Sequence, residues 1–287
     1  MTVLRGLAVL VFLAALALAG VQLWIPLFVY RPSPLANLDP ARLGLSHVAV
    51  MRVRYPAGDS ITGWWSPPRA PDSPVVMIVH GRSANIAARA PVMRRLAADG
   101  FGVLLFDYRG YGASTGRSSE QALAEDTLTA YRWLRAKGID APRIVVVGQS
   151  LGDSPAANLA ARQPVGALIL LSPYTDLPDV LGDRLAWLPV RLLPWTRNRF
   201  DVGRSLVRFE GPVLLVASKA DGLVPIENAE KLRAGSPHAR WLDVSPLRHD
   251  GMLASITADG RLALAIRSLT APPPPTETRP GSRPSPG

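Results

Sequence analysis

Between residues 47 and 270 the chain alternates short apolar runs with segments of helical periodicity. "HVAVMRV" (47–53) and "SITGWW" (60–65) read as an opening antiparallel pair. "PVVMIVH" (74–80), "FGVLLFD" (101–107), "RIVVVG" (143–148), "GALILLS" (166–172), "GPVLLVAS" (211–218) and "RWLDV" (240–244) are continuous apolar runs, as strands covered on both faces should be. Helical spacing fills the gaps at 90–100, 119–138, 154–162, 226–235 and 258–269. Apolar strands joined through helices predict a mostly parallel sheet of about eight strands with helices on both faces. In such sheets, reactive groups sit beyond the carboxyl ends of the strands.

The flanks break this pattern. Residues 6–30, "GLAVLVFLAALALAGVQLWIPLFVY", carry no charge, and a spanning helix needs about 20 apolar residues. The run continues past the small-residue sites at 15–19 and reaches Trp24, Phe28 and Tyr30, aromatic residues suited to a membrane interface. Residues 1–30 are therefore expected to be a transmembrane anchor, with the catalytic domain on the extracytoplasmic side. A cleaved signal peptide, leaving a secreted or periplasmic protein, is the alternative. Residues 31–46 carry three prolines and read as a linker, 47–270 as the catalytic domain, and 271–287, "APPPPTETRPGSRPSPG", as a disordered tail.

Charge changes this picture little. The net charge is +10, but no basic run is interleaved with aromatic residues, so nucleic acid is not an expected partner. A basic surface beside an anchor suits anionic headgroups better. There are no cysteines, which excludes disulfides and thiolate-bound metal.

The chemistry gathers at strand ends. "IVVVGQSLGDS" (144–154) frames Ser150 between Gly148 and Gly152, with Gln149 and Leu151 beside it. A G-x-S-x-G turn between strand and helix strains the serine backbone and projects its Oγ. The glycines are expected where strand and helix approach too closely for a Cβ. A serine hydroxyl needs a base. Of four histidines, His249 follows the strand at 240–244; His238 precedes that strand, His47 opens the first, and His80 ends one before a glycine. The imidazole needs an acid. Asp221 follows the strand at 211–218, while Asp176 and Asp179 remain rivals; Asp243 lies inside a strand, and Asp250 is adjacent to His249. An oxyanion would be met by the amides of Leu151 and Arg82, the latter in the loop His80-Gly81-Arg82-Ser83, with His80 bonding that loop. The glycines of "DYRGYGASTG" (107–116) mark a tight loop near the rim of the site, and Asp107 and Arg109 are expected to brace that loop rather than react.

With "HGRSANIAAR", "FDYRGYGASTG", "GQSLGDSPAANLAAR", "LLSPYTDLPDV" and "SKADGLVPIENAEKL" in order, residues 47–270 resemble the α/β-hydrolase superfamily. The likeness is strongest to membrane-anchored serine-aminopeptidase-like and lysophospholipase-like members. The resemblance implies triad roles for Ser150, Asp221 and His249. It also implies hydrolysis of an ester, thioester or amide of a small or lipid-like acyl substrate, without metal or organic cofactor. Four departures stand out: Arg82 for asparagine, Asp153 for glycine, Ala217-Ser218 where glycine is common, and Arg248 and Asp250 flanking the histidine. Arg82 and Asp153 are expected near the mouth, within reach of each other. The leucines and tryptophans of the 173–210 insertion are expected to line an acyl pocket, touch the membrane, or pack on the sheet edge.

Overall fold

The computed structural model describes residues 2–33, 39–184 and 199–271. The chain opens with helix α1 (Thr2–Val29), strand β1 (Arg31–Pro32), and the hairpin partners β2 (Ala49–Arg54) and β3 (Ser60–Ser66). Then follow β4 (Val75–Val79), the two-residue β5 (Ser83–Ala84), α2 (Ala90–Ala98), β6 (Gly102–Asp107) and α3 (Glu120–Ala136). Next come β7 (Ile144–Gln149), α4 (Asp153–Ala160), β8 (Ala167–Leu171), α5 (Leu177–Arg184) and α6 (Val202–Leu206). The series closes with β9 (Val213–Ala217), α7 (Ile226–Gly235), β10 (Arg240–Asp243), α8 (Met252–Ala258) and α9 (Arg261–Thr270).

Eight strands form one sheet in the order β10-β9-β8-β7-β4-β6-β3-β2. β2 and β3 are antiparallel, as is the β3–β6 pair, and the six strands from β6 to β10 run parallel. The mostly parallel sheet expected from the apolar runs is thus present. Strands β4, β8 and β9 are apolar at every position because both faces are covered. Val75, Met77 and Val79 of β4 point into a core shared with α3 and α4, and Val76 and Ile78 into a second core shared with α2, α8 and α9. Ile144 and Val146 divide from Val145 and Val147 of β7 in the same way.

Two local details differ from the expected pattern. The last helix, expected over 258–269, is found as α9, but a separate helix, α8, precedes it, the two parted at Gly260, whose φ of +83° a helix cannot continue through. The presumed linker is not wholly a linker: Arg31 and Pro32 pair in parallel with Ser83 and Ala84. Residues 185–198, with the tryptophans expected to line a pocket, lie outside the described residues, as does the proline-rich tail after residue 271.

Helix α1 spans 28 residues, and Leu7, Leu10, Phe12 and Leu27 on it are exposed. Among the described residues, however, no helix is long and apolar enough to cross a membrane. The helix expected at the N-terminus is therefore found, while its spanning a bilayer is not a finding of this structure. At its end, Val29 and Tyr30 are buried in the domain core.

A very tight backbone approach lies at Gly152. A Cβ there would overlap the carbonyl oxygens of Val79 and His80, and one on Gly148 would collide with Asp153. Neither obstacle at Gly152 is a side chain that can swing away. Gly152→Ala is expected to cost about 1–3 kcal/mol, read as a lowered Tm; an unchanged Tm would show that β4 yields freely at this point.

Candidate active site

Ser150 sits between β7 and α4 with φ +53°, a left-handed backbone that costs a residue with a Cβ on the order of 1–2 kcal/mol. The strain is held by the close packing at Gly148 and Gly152. It turns the side chain out of the sheet edge towards the loops after β9 and β10.

Those loops carry the other two groups. His249 Nε2 lies 3.0 Å from Ser150 Oγ, although the residues are 99 positions apart. His249 Nδ1 lies 3.0 and 2.9 Å from the two oxygens of Asp221. A carboxylate only accepts, so this contact places the neutral ring's proton on Nδ1 and leaves Nε2 able to accept from Ser150. Asp221 is itself anchored, accepting from the Leu223 and Val224 N–H groups at 2.8 and 2.9 Å. Burial pushes its carboxyl up, but the His249 ring, the Val224 amide and Ser172 outweigh burial and hold it below the usual carboxylate range. The rival acids are engaged elsewhere: Asp176 with Arg199, Asp179 with Lys231 and Thr175.

The loop after β4 lies against this constellation. A Cβ on Gly81 would stand 3.1 Å from the Gln149 carbonyl oxygen and 3.5 Å from Ser150 Cβ, so glycine brings the loop up to the serine turn. His80 is fully buried, and burial holds its imidazole below the ordinary value, so the ring is neutral. Its Nδ1 is 2.8 Å from the Gly81 carbonyl oxygen. A carbonyl cannot donate, so the ring proton is on Nδ1. In a trans peptide the N–H points opposite to the C=O; the His80 contact therefore turns the Arg82 N–H away from the ring. Tyr108 donates to the His80 carbonyl at 2.7 Å, and Tyr111 to that of Arg82 at 2.8 Å. Sequence reading singled out the glycines of "DYRGYG" and passed over these tyrosines; their spacing beside an apolar strand was the available signal. Asp107 and Arg109 do brace their surroundings. Asp107 accepts from the Ile86 amide, and Arg109 is clamped by Asp126 and Glu125.

Above Ser150 and His249 opens a cleft of about 410 Å³. Val92, Leu223 and Leu253 give it apolar walls, and Arg31, Arg82 and Arg89 give it a basic side. Among the described residues lining it, Asp250 is the sole carboxylate. No group of acidic or histidine side chains able to hold a metal is found among the described residues.

Asp153 corrects an expectation. It is not at the mouth but wholly buried beneath the serine turn, and neither of its oxygens has a hydrogen-bond partner, so it does not pair with Arg82.

Comparison with known proteins agrees with this architecture. The family model described as "Serine aminopeptidase, S33" matches residues 70–205. An uncharacterized protein of Mycobacterium tuberculosis is 36% identical over 191 residues, covering 66% of this chain and 67% of that one. Lysophosphatidylserine lipase ABHD12 of Danio rerio is 29% identical over 187 residues, covering 59% of this chain but only 49% of the lipase, so the match spans about half of that relative. An esterase of Pyrococcus furiosus superposes with a TM-score of 0.66 at 20% identity, over 84% of this chain and 96% of its own, a likeness of fold. The chain belongs to the α/β-hydrolase superfamily.

Burial pushes the Asp153 carboxyl well above its ordinary value of 3.8. A raised folded value gives stability that is present below the unfolded value and is lost as pH rises towards the folded one. Asp153→Asn stays neutral throughout. Its stability advantage over the parent, read as a gap in Tm, is expected to widen as pH rises above the ordinary carboxylate range. A gap independent of pH in thermal melts would refute a neutral buried acid.

Proposed function

We propose that this protein is a serine hydrolase that cleaves a carboxylic ester or thioester of a small or lipid-like acyl substrate through an acyl-enzyme on Ser150. The observation that carries this reading is the continuous chain from Ser150 Oγ to His249 Nε2 at 3.0 Å and from His249 Nδ1 to Asp221 at 2.9 Å.

In this mechanism His249 Nε2 takes the proton of Ser150 as Oγ adds to the substrate carbonyl carbon. The negative charge that develops on the carbonyl oxygen is met by the N–H groups of Leu151 and Arg82. Asp221 stabilises the imidazolium. When the tetrahedral adduct collapses, the bond to the leaving alcohol or thiol breaks, and His249 returns the proton to it. A water molecule, deprotonated by the same nitrogen, then adds to the acyl carbon; collapse releases the carboxylic acid and restores the serine hydroxyl. Every proton is carried by His249, so the cycle needs no metal or organic cofactor.

An ester is favoured over the peptide that the family description suggests. Gripping the free amine of an aminopeptidase substrate calls for carboxylates in the cleft, and among the described residues lining it Asp250 stands alone beside basic neighbours. The lipase and esterase relatives support the same choice. A silent scaffold on this fold is the reading from another class. A fluorophosphonate probe is expected to label the wild type and not Ser150→Ala, and an unlabelled wild type would sink the enzyme reading. On a panel of p-nitrophenyl esters, thioesters and aminoacyl amides, the amides should be the poorest substrates. Asp221→Asn should lower kcat by about 10²–10⁴-fold, and a smaller effect would reassign the acid.

The same proposal assigns α1 to a membrane, with residues 47–270 as the catalytic domain on the extracytoplasmic side. Exposed leucines and a phenylalanine along one helix are costly in water and suited to lipid. The full chain should stay with the membrane fraction in alkaline carbonate and be cut by protease added outside intact spheroplasts. Release by carbonate would overturn the anchor; release of a shortened chain would favour cleavage of a signal peptide.

A further inference from the structure

The loop that carries the Arg82 amide is not self-supporting. Ala84 has φ +66°, unfavourable for a residue with a Cβ, so something outside the loop must hold it. Part of the hold comes from β1. Arg31 and Pro32 pair with Ser83 and Ala84, and the Arg31 N–H donates to the Arg82 carbonyl at 3.1 Å. That carbonyl also accepts from the Tyr111 hydroxyl at 2.8 Å, and an oxygen with two lone pairs can take both. The peptide preceding the Arg82 Cα is oriented by His80 through the Gly81 carbonyl, and the peptide following it by Arg31 and Tyr111. With both planes fixed, the direction of the Arg82 N–H is fixed. β1 is in turn held by what precedes it: Val29 and Tyr30 are buried, and the Tyr30 ring meets Phe200 edge-on at 6.2 Å.

We infer that β1 is a strap on the oxyanion loop, and that the Arg31 main-chain N–H and the Tyr111 hydroxyl are positioning groups for the Arg82 amide. The strap is made from the segment joining α1 to the catalytic domain. A piece of chain whose sequence reads as a spacer is thus part of what presents a donor to the reaction. This rests on the reading above that the Arg82 N–H receives the developing negative charge.

The test separates main chain from side chain at one position. Arg31→Pro removes the N–H along with the side chain, while Arg31→Ala removes only the side chain and so reports whatever the guanidinium does in the cleft. Both are made in the full chain, with active sites counted by fluorophosphonate and turnover measured on a p-nitrophenyl ester. Complete loss of an oxyanion donor costs about 10²–10³-fold in kcat. Partial misplacement is expected to leave Arg31→Pro about tenfold or more below Arg31→Ala in kcat, with KM within about twofold between the two. Equal kcat in the two variants would overturn the strap. If Arg31→Pro fails to fold, Tyr111→Phe decides, because it keeps the ring and removes the other donor to the same carbonyl. A fall in kcat at unchanged KM and Tm supports the strap, and an unchanged kcat overturns it. A wild type that neither reacts with the probe nor turns over any ester would overturn the functional reading and the strap together; the other contrary outcomes overturn the strap alone.

Discussion

The arrangement of the site depends on one close approach, that of Gly152 to the carbonyl oxygens of Val79 and His80. Neighbouring parallel strands are set apart by their hydrogen bonds. The turn leaving β7 can cross over the end of β4 only if nothing but a hydrogen projects at residue 152. That contact forces Ser150 into its left-handed conformation and sets its side chain above the sheet edge. It also brings the β4–β5 loop alongside, so the serine and the Gly81-Arg82 backbone share one space. A larger residue at 152 would disturb serine and loop together.

Around this point two kinds of support differ in their physical character. Asp221 and His249 are held by charge and by hydrogen bonds to backbone: the Leu223 and Val224 amides position Asp221, and Asp221 positions His249. The loop after β4 is held by carbonyls that accept from His80 at Gly81, from Tyr108 at His80, and from Tyr111 and Arg31 at Arg82. Arg89 adds bonds to the Ser83 and Asn85 carbonyls at 3.1 Å each. A loop with unfavourable local geometry is thereby kept in one conformation by its own His80 and by donors drawn from three other parts of the chain.

Asp153 stands apart from both. Beneath the serine turn, a carboxyl with no hydrogen-bond partner contributes no charge to the cleft while it remains neutral. It takes up the space beside Gly148 and ties the integrity of the turn to pH. The sequence marked this residue as unusual but placed it wrongly, because strand-to-helix spacing gives position along the chain and not depth.

The sequence by itself determined the parallel sheet, since only strands covered on both faces are apolar at every position, and it set Ser150, a later acid and then His249 beyond separate strand ends. It also determined that Gly148 and Gly152 had to be glycine, because a turn of that form leaves no room for a Cβ. Local chemistry and periodicity suffice for such features. Tertiary structure alone decided that Asp221, rather than Asp176 or Asp179, lies against His249, because all three follow strands and only the folded loops distinguish them. It alone added α8 ahead of the last helix, buried Asp153, and joined Arg31 to Ser83. Pairing between two-residue strands leaves no periodic signal, since it is made by backbone groups whose partners are set by where the chain returns.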